Sequence, residues 1–143
     1  MARGKRILIM GLPGAGKTTL TEQVISLMGS DTITWFNADR VREEYEDWDF
    51  SPEGRERQAK RMAQMSEMVA SNGTHCICDF VCPTDELRDL FDADITIWVD
   101  TIEKGRYNDT NLLFQKPKQY DLRLTDWDFS NAYQVEQLIE PYV

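Results

Sequence analysis

Residues 11–18 read GLPGAGKT, a run that fits G-x-x-x-x-G-K-[ST]. An apolar segment, KRILIM, runs straight into it, and a helical pattern, TLTEQVISLM, runs straight out. Strand, glycine-rich turn and helix in immediate succession form the setting in which this motif cradles phosphate. Glycines at 11, 14 and 16 permit backbone angles closed to other residues. The loop N–H groups can then point inward, and the helix N-terminus adds positive potential. The expectation is that Gly11, Leu12, Pro13, Gly14, Ala15, Gly16, Lys17, Thr18 and Thr19 wrap the phosphates of ATP. Lys17 would reach the β/γ-phosphates as a catalytic cation, Thr18 would ligate Mg²⁺, and Thr19 would touch the α-phosphate. A guanine-reading N-K-x-D is absent from the sequence, and a small kinase suits the length better than a motor.

The rest of the chain alternates. Strands are predicted at 5–10, 32–36, 75–80, 95–99 and 120–125, and helices at 18–28, 52–72, 85–91 and 129–139. Ser51 and Pro52 are placed to start the long helix, and Gly73 to end it. Residues 37–51 read as a short helix and a loop, and 103–118 as a charged, mobile lid over the site. Strands separated by helices imply a parallel sheet covered on both faces. The fold class is therefore α/β, a P-loop NTPase three-layer α/β/α domain over 1–143, with a five-stranded parallel sheet in the order 2-3-1-4-5. Ligands in such sheets bind beyond the carboxyl ends of the strands, which gathers 11–18, 37–42 and 79–83.

The length of 143 residues suits one core, and a net charge of −9 disfavours nucleic acid and anionic membranes as partners. An anionic substrate must then find a locally basic pocket. No apolar run approaches the roughly 18 residues of a membrane span, and the basic-then-apolar start reads as a first strand rather than a signal peptide. Three cysteines, two of them in CICD, imply no disulfide framework and point to a reducing cytoplasm. Cys76 and Cys78 share one strand face and read as small core residues.

FNADRVRE, at 36–43, places one carboxylate and two guanidiniums at a strand end. Transfer to a hydroxyl needs a carboxylate to take the proton and cations to hold an anionic acceptor. Asp39 is the candidate catalytic carboxylate and Arg42 the candidate anion ligand; a solvated helix start capped by Asp39 is the alternative. On the long helix, Ala59, Met62, Met65 and Val69 make an apolar stripe, with Arg55 at its tip and Gln58 close by. Arg57, Lys60, Arg61 and Gln64 read as solvated charge on the other side. Arg55 either meets the acceptor or pairs with Asp47 or Asp49. Asp79 ends an apolar strand where a metal-side carboxylate would stand, or else serves a turn. Lys104 and Arg106 are lid candidates, and Thr125 to Trp127 are placed to border the base of ATP.

Beyond these readings, the chain resembles the adenylylsulfate kinases, which phosphorylate the ribose 3′-hydroxyl of adenosine 5′-phosphosulfate with MgATP. Their pattern runs from a phosphate loop through DGDNVR, GFS, a helix with R-x-x-N and I-R-R, and a strand ending SFISPYR. Here NADRVR, DFS, RERQ, AKR and CDFVCPTD stand in that order over about residues 5 to 100. The resemblance implies that Asp39 is catalytic, Arg42 and Arg55 bind phosphosulfate, and Phe50 stacks on the acceptor's adenine. Val81 and Cys82 would line its pocket. Gln58 takes the place of the helix asparagine, Arg40 of the asparagine after the catalytic aspartate, Asp85 of the SPYR arginine and Asp79 of a serine. EKGRYNDTNLLF shares only K-G-x-Y with the family's lid. The sequence therefore leaves open a related kinase with another nucleotide, small alcohol or nucleic-acid end as acceptor, a non-catalytic nucleotide-binding module, and a homodimer.

Overall fold

The computed structural model describes residues 2–105 and 107–141. Five short runs form the strands β1 (Arg6–Met10), β2 (Ile33–Asn37), β3 (His75–Asp79), β4 (Ile95–Val99) and β5 (Leu122–Leu124). All pair in parallel, in the order β2-β3-β1-β4-β5. Among the described residues the helices are α1 (Lys17–Met28), α2 (Ala38–Glu44), α3 (Pro52–Ser71), α4 (Asp85–Phe91), α5 (Asn108–Leu113) and α6 (Ser130–Ile139).

The central strand shows why two layers of helix are needed. Side chains on a strand alternate between faces. Ile7 and Ile9 of β1 pack into one core with Leu20 and Val24 of α1 and Val135 and Ile139 of α6. Leu8 and Met10 pack into the other with Ala59 and Met62 of α3 and Leu87 and Phe91 of α4. Cys76, Cys78 and Cys82 are free thiols buried in this second core, as expected of small apolar groups for the first two. Burial pushes the Cys78 thiol up. Among the described residues, no helix is long and apolar enough to cross a membrane.

Three expectations need correction. The fifth strand is shorter than 120–125, spanning Leu122–Leu124; just ahead of it Asp121 meets Thr96 twice, its N–H donating to the Thr96 carbonyl at 2.9 Å and its carboxylate accepting from the Thr96 N–H at 2.7 Å. The segment 103–118, read as charged with few core-like positions, holds α5, buries Thr110 and packs Phe114 against the core. The first strand begins at Arg6, whose side chain is 5% exposed. Its guanidinium donates to Ser66 Oγ and to the carbonyls of Phe91 and Asp92 at 2.7–2.9 Å, which joins β1 to α3 and to the end of α4.

Candidate active site

β1 is buried along its whole length and delivers the chain into the loop 11–16, where Leu12 and Ala15 are buried anchors. Gly16 adopts a left-handed conformation, φ +104°, at the start of α1. A Cβ there would fall inside the Trp127 ring, so only glycine allows that ring to pack on the loop. Thr101 donates its hydroxyl to the Ala15 carbonyl at 2.7 Å. Lys17 Nζ donates to the carbonyls of Gly11 and Leu12 at 3.0 Å each, and so lies along the cradle.

β2 and β3 end side by side, with Asn37 opposite Asp79 in register. Asp79 is 2% exposed and accepts from Thr18 Oγ1 at 3.1 Å, from Trp35 Nε1 at 3.0 Å and from Asn37 Nδ2 at 3.0 Å. Burial raises its carboxyl above the ordinary range, against the downward pull of those donors and of the Lys17 charge. The Thr18 hydroxyl and the Asp79 carboxylate together form a hard oxygen set beside the phosphate cradle. That donor chemistry fits Mg²⁺, which takes one or two protein oxygens and completes its shell with phosphate and water. Asn37 also looks the other way: its Oδ1 accepts from the Arg40 N–H at 3.2 Å and caps α2. Asp79 is thus tied through one amide to the helix that carries Asp39 and Arg42.

On α2, Arg42 is 5% exposed, and Nη1 donates to the carbonyls of Asp47 and Asp49 at 2.9 and 3.0 Å. Its guanidinium stands 4.3 Å from the Phe50 ring centroid, and that of Arg55 stands 5.4 Å from it. Arg55 Nε donates to the Phe50 carbonyl at 2.9 Å. Two cations therefore converge on one aromatic ring that is itself 51% exposed. Burial lowers the Arg42 pKa, and the neighbouring Arg55 charge lowers it further, while Asp47 and Asp39 oppose the shift. Asp39 lies exposed in the first turn of α2.

Some sequence-predicted residues sit elsewhere. Gln58 is buried, with Nε2 donating to the Ala38 carbonyl at 3.1 Å and Oε1 accepting from Arg61 at 2.8 Å. It braces α2 against α3 instead of facing an acceptor. Cys82 points into the core at 1% exposure with φ +44°, and burial pushes its thiol up, whereas Val81 is half-buried. Arg61 is not solvated charge: it and Arg57 both bind Asp47, at 2.9 and 2.8 Å. Arg57 also binds Asp49, at 3.1 Å. Lys104 is exposed, and Arg106 lies outside the described residues. Of 125–127, Trp127 lines a cavity of about 160 Å³ beside Gly16, with Leu20, Val99 and Phe129. Sequence reasoning missed Trp35 and Asn37. Their i, i+2 spacing on one face of a strand, followed by a helix start, was the available signal.

Sheet order and the glycine loop between β1 and α1 define a P-loop fold of the small-kinase type. The family model for adenylylsulphate kinase matches residues 3–125, and the chain belongs to that family. A probable adenylyl-sulfate kinase of Aeropyrum pernix is 32% identical over 91 residues, 62% of this chain and 50% of the relative; the chain spans about half that curated relative's length. The fold is shared with APS kinase CysC of Mycobacterium tuberculosis in complex with AMPPNP and APS, at TM-score 0.85 and 23% identity, covering 98% and 99% of the two chains. A gluconokinase from Sinorhizobium meliloti shares it more distantly, at TM-score 0.64 and 10% identity over 98% and 96%.

Proposed function

We propose that this chain is an ATP-dependent kinase that phosphorylates the 3′-hydroxyl of adenosine 5′-phosphosulfate. The observation that carries the reading is the Arg42–Phe50–Arg55 cluster beside the helix of Asp39. A half-exposed ring flanked by two guanidiniums suits an acceptor with a flat base and an anionic tail. That the M. tuberculosis relative was solved with AMPPNP and APS supports the choice of both substrates. In this reading the loop 11–16 and Lys17 hold the triphosphate, and the cavity at Trp127 takes the base. Thr18 and Asp79 would hold Mg²⁺, which when bound neutralises charge on the phosphates. Asp39 accepts the proton of the attacking hydroxyl, and Arg42 and Arg55 fix the acceptor so that this hydroxyl faces the γ-phosphate.

The test is incubation of the protein with MgATP and adenosine 5′-phosphosulfate, with mass detection of the 3′-phosphorylated product. Asp39→Asn is expected to lower turnover by roughly 10²–10⁴-fold, the usual contribution of a positioned base, while nucleotide binding persists. No product from a protein that binds ATP defeats the assignment of acceptor. One observation favours a related acceptor instead: Asp85, where the family pattern has an arginine, is bound to Arg88 at 2.9 Å. A screen of nucleosides, nucleotides and small alcohols in the same assay separates the two.

A further inference from the structure

The loop that carries Val81 and the chain leaving α5 are joined at their bases by one buried guanidinium. Arg88, on α4, is 8% exposed. Its Nε donates to the Cys82 carbonyl at 3.0 Å, Nη1 to Asp85 Oδ1 at 2.9 Å, and Nη2 to the Gln115 carbonyl at 2.6 Å. The same guanidinium stands 5.3 Å from the Phe114 ring centroid. Two further bonds cross directly: the Gln115 N–H donates to the Pro83 carbonyl at 2.7 Å, and Gln115 Oε1 accepts from the Asp85 N–H at 3.1 Å. Asp85, which looked like the loss of a ligand, is one of the guanidinium's holders.

The other end of the segment is anchored on the phosphate loop. Gly105 sits against Pro13 so closely that a Cβ would meet its Cδ and carbonyl oxygen at 3.0 Å. Asn111 closes on Gly105 from both sides, accepting from its N–H at 2.6 Å and donating to its carbonyl at 3.2 Å. Helix α5 is therefore a bracket with one foot on the ATP cradle and the other on the acceptor loop. A guanidinium suits the second foot because its planar fork holds several acceptors in fixed directions at once.

We infer that Arg88 is a positioning residue that makes the α5 segment and the acceptor loop move as one body, so that the seating of the lid sets the acceptor pocket. The hydrogen bonds of Arg88 go to two carbonyls and a carboxylate of the protein. The inference rests on the kinase reading, and its test has one arm that does not. Arg88→Lys keeps the charge but replaces the fork by a single nitrogen. In the kinase assay this variant is expected to leave the KM for MgATP within about twofold, to raise the acceptor KM about tenfold or more, and to release more ADP per acceptor phosphorylated. In hydrogen exchange without substrates, the amides of 84–88 and of 107–116 are expected to speed up together. Asp85→Asn, which weakens one contact only, should show the same pattern to a smaller degree if Arg88→Lys does not fold.

A folded variant in which only one of the two segments exchanges faster, or neither does, overturns the coupling. So does a variant in which both KM values rise together in step with a lower melting temperature. If the wild-type protein transfers no phosphate to the acceptor, the functional reading falls, and the exchange arm still decides whether the two segments are coupled.

Discussion

A carboxylate that is 2% exposed and accepts from a threonine, a tryptophan and an asparagine is held for a reason other than its own comfort. Burial raises the Asp79 pKa in the fold, so the folded chain keeps its proton more readily than the unfolded one. Its contribution to stability is full below the ordinary carboxylate value of about 4 and is lost as pH rises through the raised folded value. Asp79→Ser removes that dependence. Melting temperatures of the two proteins, measured without metal or nucleotide across that range, should therefore diverge with pH: the wild type loses ground relative to the variant as pH rises. A wild-type advantage that grows with pH would contradict the buried-acid account. MgATP should reverse the trend for the wild type alone, because a cation beside the carboxylate favours its ionised form.

Helices α2 and α3 show how elements are held in relation. Ser51 caps α3, accepting from the Gly54 N–H at 3.2 Å, and Gln58, two turns further on, donates to the carbonyl at the start of α2. Gln58→Leu removes the side-chain donor to the Ala38 carbonyl and one of the two acceptors of Arg61, which keeps Asp47. A loss of about 1–3 kcal/mol is expected by urea titration, with a raised acceptor KM and little change in ATP affinity. Equal weakening of both substrates would mean that Gln58 supports the fold alone. These elements were legible to different depths in the sequence. The Ser51–Pro52 start, the Met62 stripe and the shared face of Cys76 and Cys78 follow from local chemistry and from periods of 3.6 and 2. The phosphate loop was legible because strand, glycines and helix are adjacent in the chain. Trp35 and Asn37 on Asp79, and Gln58 on Ala38, depend on registers and crossings between segments distant in sequence. Periodicity reports which face is buried, but not which partner waits there. The α5 segment was read as mobile because it is charged and has few core-like positions; its anchors, Gly105 on Pro13 and Gln115 on Arg88, Pro83 and Asp85, are backbone and polar contacts that no apolar period announces.

At the scale of the whole molecule, the sheet separates what stabilises the chain from what it does. The carboxyl ends of β1, β2 and β3 deliver the phosphate loop, α2 and Asp79, whereas the amino end of β1 carries Arg6. Arg6 joins the second core from below: its guanidinium stands 4.6 Å from the Phe91 ring centroid and donates to two carbonyls at the end of α4 and to a hydroxyl of α3. Arg6→Met keeps most of the apolar contact and leaves those acceptors unmet. The expected cost is on the order of 3 kcal/mol, from several charge-assisted bonds lost at once, which lowers the melting temperature by roughly 10 °C for a chain of this size. Well below that temperature the folded variant should keep the wild-type KM for both substrates, because no site residue leans on Arg6. Scanning calorimetry and steady-state kinetics on the same preparation check both halves. A variant that melts early and also binds acceptor poorly while folded would show that the two ends of the sheet are not independent, and that α4 transmits the disturbance from Phe91 along to Arg88.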